Sequence, residues 1–358
     1  MAERKVELLV PAGSLEVLKV AVDYGADAVY IGGQAYGLRA KADNFSIEEM
    51  KKAVKYAHAK NAKVYVTANI FAHNYDVEGM KAYFEQLKDT GVDAVLVSDP
   101  GIFMLAKETM PDMELHISTQ ANNTNYLTYN FWYNMGAKRV VTARELSLVE
   151  IKQIREHIPE DMEIESFMHG AMCISYSGRC LLSSYFTGRD ANHGACTHTC
   201  RWKYHIVEET RPGEYMPVNE DDRGTYIFNS KDLCMIEHIP EMIDAGIDSF
   251  KIEGRMKRPE YVAGAVNACR VALDGGTPDL ISLKNVFSRS GFTSGYFDDD
   301  FKNMQGVRTK DDVTSATSKV LSAMKQYYHK PFRRFPADIT VNVKSGQPVC
   351  YKLSACGV

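Results

Sequence analysis

Gly25-Ala-Asp-Ala-Val-Tyr-Ile31 recurs along the chain in one design, as Gly91-Val-Asp-Ala-Val-Leu-Val97, Gly136-Ala-Lys-Arg-Val-Val-Thr142 and Gly246-Ile-Asp-Ser-Phe-Lys-Ile252. Each copy opens on a glycine, which can end a helix in the left-handed region without steric cost. A short polar step follows, then a β-branched apolar run with the composition of a strand buried in a parallel sheet. Weaker copies lie at Lys63–Ala68, Glu114–Ser118 and Glu163–Phe167, and Leu8–Val10 opens the series, making eight strands. Amphipathic stretches of helical length separate most of them. Ser46-Ile-Glu-Glu49 and Ser147-Leu-Val-Glu150 have the spacing of capping boxes, in which hydroxyl and carboxylate satisfy orphan amides. An open doubly wound sheet would normally have fewer strands and a recognisable switch point. The repeat therefore predicts an α/β fold, an eight-stranded TIM-type barrel over residues 6–275, with Leu8–Val10 paired beside Phe250–Ile252 to close the ring.

Two segments break the rhythm. Residues 169–235 are far longer than an ordinary barrel loop and carry strand-like runs at Tyr204–Glu208 and Thr225–Phe228. Beyond Gly276 come a loop rich in Gly, Ser and Asp (289–312), a helix expected over 313–327, and strand-like runs at Ala337–Val343 and Pro348–Leu353. The division expected is a barrel over 1–285, including the insertion 169–235, and a C-terminal extension, 286–358, that reads as the clipped start of a further domain.

The chain has 358 residues, 45% of them apolar and 25% charged, with a formal charge of −4. That balance argues against a generally basic surface, so RNA contact would fall to local patches such as Lys251–Arg258 or His329–Arg334. The opening residues hold no apolar export core and no apolar run approaches the roughly 20 residues that span a bilayer, so the cytoplasm is the expected location and no membrane is involved.

Eight cysteines are many for such a chain, and four fall between positions 173 and 200. In a reducing compartment clustered thiols read as metal ligands or catalytic groups before disulfides. Cys269, Cys350 and Cys356 read as buried thiols. Around Cys173, Cys180, Cys196, Cys200 and Cys234 glycines and polar residues replace the apolar surroundings of a core thiol. Structural zinc also takes four cysteines, usually in close Cys-x-x-Cys knuckles that are absent here. The irregular spacing suits an iron–sulfur site better than zinc, without deciding between them.

In a barrel of this type the reactive residues stand at the C-terminal strand ends. Here all eight ends are polar, with Ser14, Arg39, Asn69, Ser98-Asp99, Gln120, Arg144-Glu145, His169 and Glu253-Gly-Arg255 among them. Arg39, Asn69, Gln120, Arg144 and Arg255 are the expected substrate-binding residues, the guanidinium forks suiting a carboxylate or phosphate. Glu145, His169 and Glu253 are the expected proton-transfer residues, since burial tunes both types toward neutral pKa. The three arginines should converge on one anion-accepting cavity or pair with Glu145 and Glu253. No Walker loop or dinucleotide fingerprint occurs.

The run Glu165-Ser-Phe-Met-His-Gly-Ala-Met-Cys173-Ile-Ser-Tyr-Ser-Gly-Arg-Cys180-Leu-Leu-Ser183 resembles the signature of the peptidase U32 family in every fixed element. Asn229-Ser-Lys-Asp-Leu-Cys234 and Lys251-Ile-Glu-Gly-Arg-Met-Lys-Arg-Pro259 are similar to that family too, and the resemblance covers residues 6–330. Ser288–Tyr296 looks like the post-barrel segment of its long bacterial branch. The resemblance implies an enzyme that hydroxylates a pyrimidine of ribosomal or transfer RNA, as relatives do, some with prephenate as a small carboxylate co-substrate. It also implies a four-iron, four-sulfur (4Fe-4S) cluster, as in the branch acting on ubiquinone precursors. Cys173, Cys180 and Cys234 are then ligands, with Cys196 or Cys200 the fourth. A collagenase-like peptidase is the rival, and it needs a thiolate paired with an imidazole such as His169, His193 or His198. A cluster-bearing scaffold for a partner protein is a third reading. Which base is modified, and the oligomeric state, are not legible.

Overall fold

The structure, a computed structural model, describes residues 6–38, 43–202, 205–207, 210, 215–217, 230–287, 291–298, 304, 337–342 and 350–355. Seven parallel strands come first: β1 (Glu7–Pro11), β2 (Ala28–Gly32), β3 (Lys63–Thr67), β4 (Ala94–Val97), β5 (Glu114–Ile117), β6 (Arg139–Val141) and β7 (Glu163–Ala171). Three short strands follow, β8 (His205–Val207), β9 (Tyr215–Pro217) and β10 (Asp232–Cys234), before β11 (Ser249–Ile252) closes the barrel. β11 pairs in parallel with both β7 and β1, with Leu8 opposite Phe250, so the ring closes where the repeat predicts.

Helices α1 (Leu15–Asp23), α2 (Ile47–His58), α3 (Val77–Leu87), α4 (Pro100–Thr109), α5 (Tyr126–Met135) and α6 (Leu148–Glu156) alternate with the first seven strands. Both expected capping boxes form, at Ser46 with Glu49 and at Ser147 with Glu150. In α2 the buried residues Met50, Ala53, Val54 and Ala57 recur at helical spacing and face the barrel. The glycines that open the repeats, Gly25, Gly91, Gly136 and Gly246, all take positive φ.

β7 is the exception in length, with nine residues against three to five in its barrel neighbours. Its last residues pass the rim and are covered by β10, which returns antiparallel with Leu233 opposite Gly170. Gly170 (φ +118°) is required there, because a Cβ would stand 2.6 Å from the Glu253 carbonyl oxygen. β8 pairs with β9, and the expected run at Thr225–Phe228 lies outside the described residues, as does the helix expected over 313–327. After α7 (Leu182–Thr187) within the insertion come α8 (Ile239–Asp244), α9 (Pro259–Leu273) and α10 (Leu280–Phe287). β12 (Phe292–Thr293) then joins β10, and Phe297 and Met304 are buried against the barrel core, so the chain stays on the barrel past residue 285. β13 (Ala337–Asn342) and β14 (Cys350–Ala355) form an antiparallel pair, close to the two runs expected.

The barrel interior holds charges. Arg139 on β6 reaches Glu7 on β1 (2.6 Å), Glu163 (2.6 Å) and Glu165 on β7 (3.1 Å), while Lys251 on β11 reaches Glu165 at 2.6 Å. Tyr65 and Ser249 donate to Glu7 at 2.6 and 2.8 Å. Burial pushes the Glu7 carboxyl up, but the Arg139 charge and three hydrogen bonds more than reverse this and hold it at about 2. A buried pair can be neutral against apolar residues, yet removing one partner strands the other charge. Glu165→Ala should therefore cost about 3–5 kcal/mol of stability in denaturant unfolding at neutral pH. The depressed Glu7 pKa adds stability that is full above its unfolded value near 4.5 and is lost as pH falls toward 2, and an acid titration of wild type and Glu7→Gln checks that window.

Candidate active site

The insertion is tied down over the C-terminal mouth of the barrel by residues of the strand ends. After β5, Gln120 Nε2 donates to Asn192 Oδ1 (3.3 Å) and Gly178 O (3.5 Å), and Asn122 Nδ2 donates to Tyr176 O (3.1 Å). Arg179 Nε donates back to Gln120 O at 3.0 Å. After β6, Glu145 accepts from both Ser177 N (2.6 Å) and Ser177 Oγ, holding Ser177 at φ +42°, a region non-glycine residues rarely enter. Asn192 clamps Cys180 on both sides, accepting from its N–H (3.1 Å) and donating to its C=O (3.0 Å). Ser183 Oγ accepts from Thr197 N at 2.9 Å, joining α7 to the arm that carries Cys196.

These fastenings gather thiols. Cys173, Cys196 and Cys180 lie within electrostatic reach of Cys200, and Cys180 and Cys196 within reach of Cys173. Cys234, expected among the ligands, is registered opposite His169 on β7 and lies within electrostatic reach of Cys269. Burial pushes the Cys173 thiol up against the opposing Arg144 charge, and pushes Cys200 to about 11 against Arg201. Among the described residues no three His, Cys, Asp or Glu side chains stand at metal-ligand spacing, so the four thiols are a gathered set without being a closed cage. Their donor chemistry fits a cluster, and Arg201 adds to the fit. Its Nε and Nη1 are buried without a partner, which leaves donors beside the thiols that an anionic sulfur would satisfy.

The other expected residues are placed as follows. Arg255 is buried and donates to Thr67 Oγ1 at 2.7 Å, against Gly32, where a Cβ would stand 2.2 Å from Nη1. The neighbouring Gly33 makes the same allowance for Tyr83 OH, so the glycine pair clears space for protein side chains. Arg144 lies over the Phe167 ring at 4.3 Å and 4.0 Å from Glu253. Arg39 lies outside the described residues. Asn69 donates to Ser118 Oγ (2.9 Å) and leaves its Oδ1 buried without a partner, as does Gln120 with Oε1. Glu145 is committed to the cysteine loop. Of the Lys251–Arg258 patch, Lys251 and Arg255 are buried in the barrel and cannot meet RNA at a surface. Sequence reading missed Asn192, Ser177 and Arg179, because residues of these types carry no signal until the loop is folded back.

His169 is buried, with Nδ1 lacking a partner, between the rings of Tyr261 and Phe292. Burial, then the nearby Lys257 charge, lowers its pKa to about 4, so the ring is neutral at pH 7. His193 Nε2 is held by Asp76 at 3.0 Å. A depressed histidine pKa means that the unfolded chain binds the extra proton between pH 6.5 and 4, so stability is lost as pH falls through that window. His169→Phe should remove about 3 kcal/mol of that loss, leaving the part due to His116, whose pKa burial also lowers, when unfolding is measured at pH 7 and pH 4.

Comparison with known proteins places this barrel. The profile described as "Peptidase family U32" matches residues 13–305. The chain is 49% identical to the Bacillus subtilis (strain 168) "tRNA hydroxylation protein P1" over 276 residues, covering 77% of this chain and 65% of that protein. It is 40% identical over 350 residues to the Escherichia coli (strain K12) "tRNA hydroxylation protein P", covering 84% of this chain and 77% of that protein. It is 37% identical over 299 residues to the Escherichia coli "23S rRNA 5-hydroxycytidine C2501 synthase", covering 83% of this chain and 43% of that one. The chain thus spans about two thirds of the first of these relatives and under half of the last. On the strength of the profile match and these identities, the chain belongs to peptidase family U32.

Proposed function

We propose that this chain is the catalytic barrel of an RNA-modifying hydroxylase that acts on a pyrimidine base of transfer or ribosomal RNA and depends on an iron–sulfur cluster. The observation that carries the reading is the gathering of Cys173, Cys180, Cys196 and Cys200 at the barrel mouth, held by side chains of the strand ends. The relatives named for hydroxylation of transfer RNA and for hydroxycytidine synthesis supply the reaction class. Cys173, Cys180 and Cys234 with Cys196 or Cys200 would hold a 4Fe-4S cluster, and when bound it would supply one-electron redox chemistry.

Converting a ring C–H to C–OH is a two-electron oxidation, which balances if a co-substrate gives up its hydroxyl to the ring, takes the ring hydrogen in exchange and is itself reduced by two electrons. A small carboxylate such as prephenate is the co-substrate proposed for that exchange, with Arg144 and Arg255 as the described rim cations able to orient it. The buried acceptors Gln120 Oε1 and Asn69 Oδ1 are suited to N–H groups of substrate. His169 is neutral and can accept a proton at Nδ1, while Glu253 stands beside Arg144. Against a peptidase reading, Cys173, Cys180, Cys196 and Cys200 lie within reach of one another, and His193 is engaged by Asp76.

Iron and sulfide measured on anaerobically purified protein test the cluster. Cys173→Ala, Cys180→Ala and Cys234→Ala should each lose most of the iron, as should one of Cys196→Ala and Cys200→Ala, whereas Cys269→Ala should retain it. Nucleoside mass spectra of cellular RNA from a deletion strain should regain the hydroxylated pyrimidine with wild type and not with Cys180→Ala. Full iron in the Cys180→Ala and Cys200→Ala proteins would refute the ligand set.

A further inference from the structure

The outer side of the cysteine segment carries an exposed aromatic face. Tyr176, Leu181, Tyr185, Phe186 and Trp202 are all exposed, with Tyr185 at 83% and Trp202 at 45%. Among the described residues five of the fifteen exposed large apolar side chains fall within 27 positions, 176–202, the largest such group in the sequence; the next, Tyr126, Leu127 and Phe131, has three. Tyr185 and Phe186 meet edge to face at 5.1 Å, and Phe186 lies 6.2 Å from Trp202. From 173 to 202 the charged residues are Arg179, Arg189 and Arg201 against the single acidic Asp190, in a chain whose net charge is −4. Arg179 is exposed yet held, by Gln120 O at 3.0 Å and over the Phe71 ring at 5.0 Å.

We propose that this face is a stacking platform for unpaired nucleotides, which seats a single-stranded stretch of RNA against the mouth that carries the thiols; the proposal rests on the RNA-modifying reading above. The chemistry selects the occupant. Exposed aromatic rings on a segment whose charged residues are three arginines and one aspartate match bases that stack and phosphates that need cations. Location supports it as well, because α7 is joined by Ser183 and Thr197 to the arm carrying Cys196 and Cys200. Trp202 stands two residues after Cys200, so a base stacked there is close in the chain to the thiols. Duplex RNA hides its base faces and would gain nothing from the rings.

The chain's two tryptophans make the test direct. Trp132 is 4% exposed and donates to Asn123 Oδ1 at 2.9 Å, so quenching by a bound base reports Trp202. Full-length protein is titrated with a single-stranded oligouridylate and with a duplex RNA of equal length. The oligouridylate should quench Trp202 and the duplex should not. Tyr185→Ala and Phe186→Ala should each weaken oligouridylate binding by about 5- to 150-fold, the range expected for one stacked base, and Tyr185→Phe should restore it. RNA binding that survives both alanine variants unchanged would overturn the platform and leave the hydroxylase reading standing. Absence of any RNA binding by wild type would overturn both. Failure of acrylamide to quench Trp202 in the free protein would show the face covered by the chain itself or by a second copy, which also overturns the proposal.

Discussion

Closing a ring of short strands leaves an interior that side chains must fill, and in this barrel a network of charged side chains helps to fill it. Glu7, Arg139, Glu165 and Lys251 come from β1, β6, β7 and β11, the strands that meet where the first and last units join. Their mutual neutralisation makes closure specific, because any slipped register would leave a charge unpaired in a dry interior. The same residues explain parts of the sequence that look functional. Glu165 opens the cysteine-bearing signature and Lys251 opens the basic run after it, yet both are spent on each other inside the barrel.

Everything above that layer depends on β7 running past the rim. Its extension carries His169 and Gly170 upward, allows β10 to lie across it, and delivers the chain to Cys173 at the mouth. From there the loop is held by amide and hydroxyl side chains at the ends of β5 and β6, with Asn192 as the junction between Gln120 and Cys180. Polar residues at strand ends thus serve two ends. Gln120, Asn122 and Glu145 position the thiol loop, while Arg255 is held by Thr67, Arg144 lies near Glu253, and Asn69 and Gln120 each keep a buried acceptor without a partner. A perturbed or polar rim residue is evidence of function only after such fastenings are subtracted.

The thiols show why family signatures and geometry must be read together. Cys180, Cys196 and Cys200 sit on segments that are irregular apart from short turns, so nothing local brings them together. Their approach follows from hydrogen bonds made by residues many positions away, and Arg144 and Arg201 moderate the charge that four thiolates would accumulate. Cys234 is carried to the rim by the antiparallel register of β10 on β7, opposite His169.

The fold was legible because its signals are local and repeated. Left-handed glycines at 25, 91, 136 and 246, the capping boxes at Ser46 and Ser147 and the β-branched runs after each glycine act within a few residues, and eight repetitions permit only a closed ring. The presence of a thiol site was legible in the same way, from cysteines crowded among polar residues. Which thiols meet, which arginines reach the mouth, and that Lys251 and Glu165 neutralise each other were decided only by tertiary structure. Strand register and the folding back of a long loop bring residues together from distant positions, and neither is encoded in the spacing of any single motif.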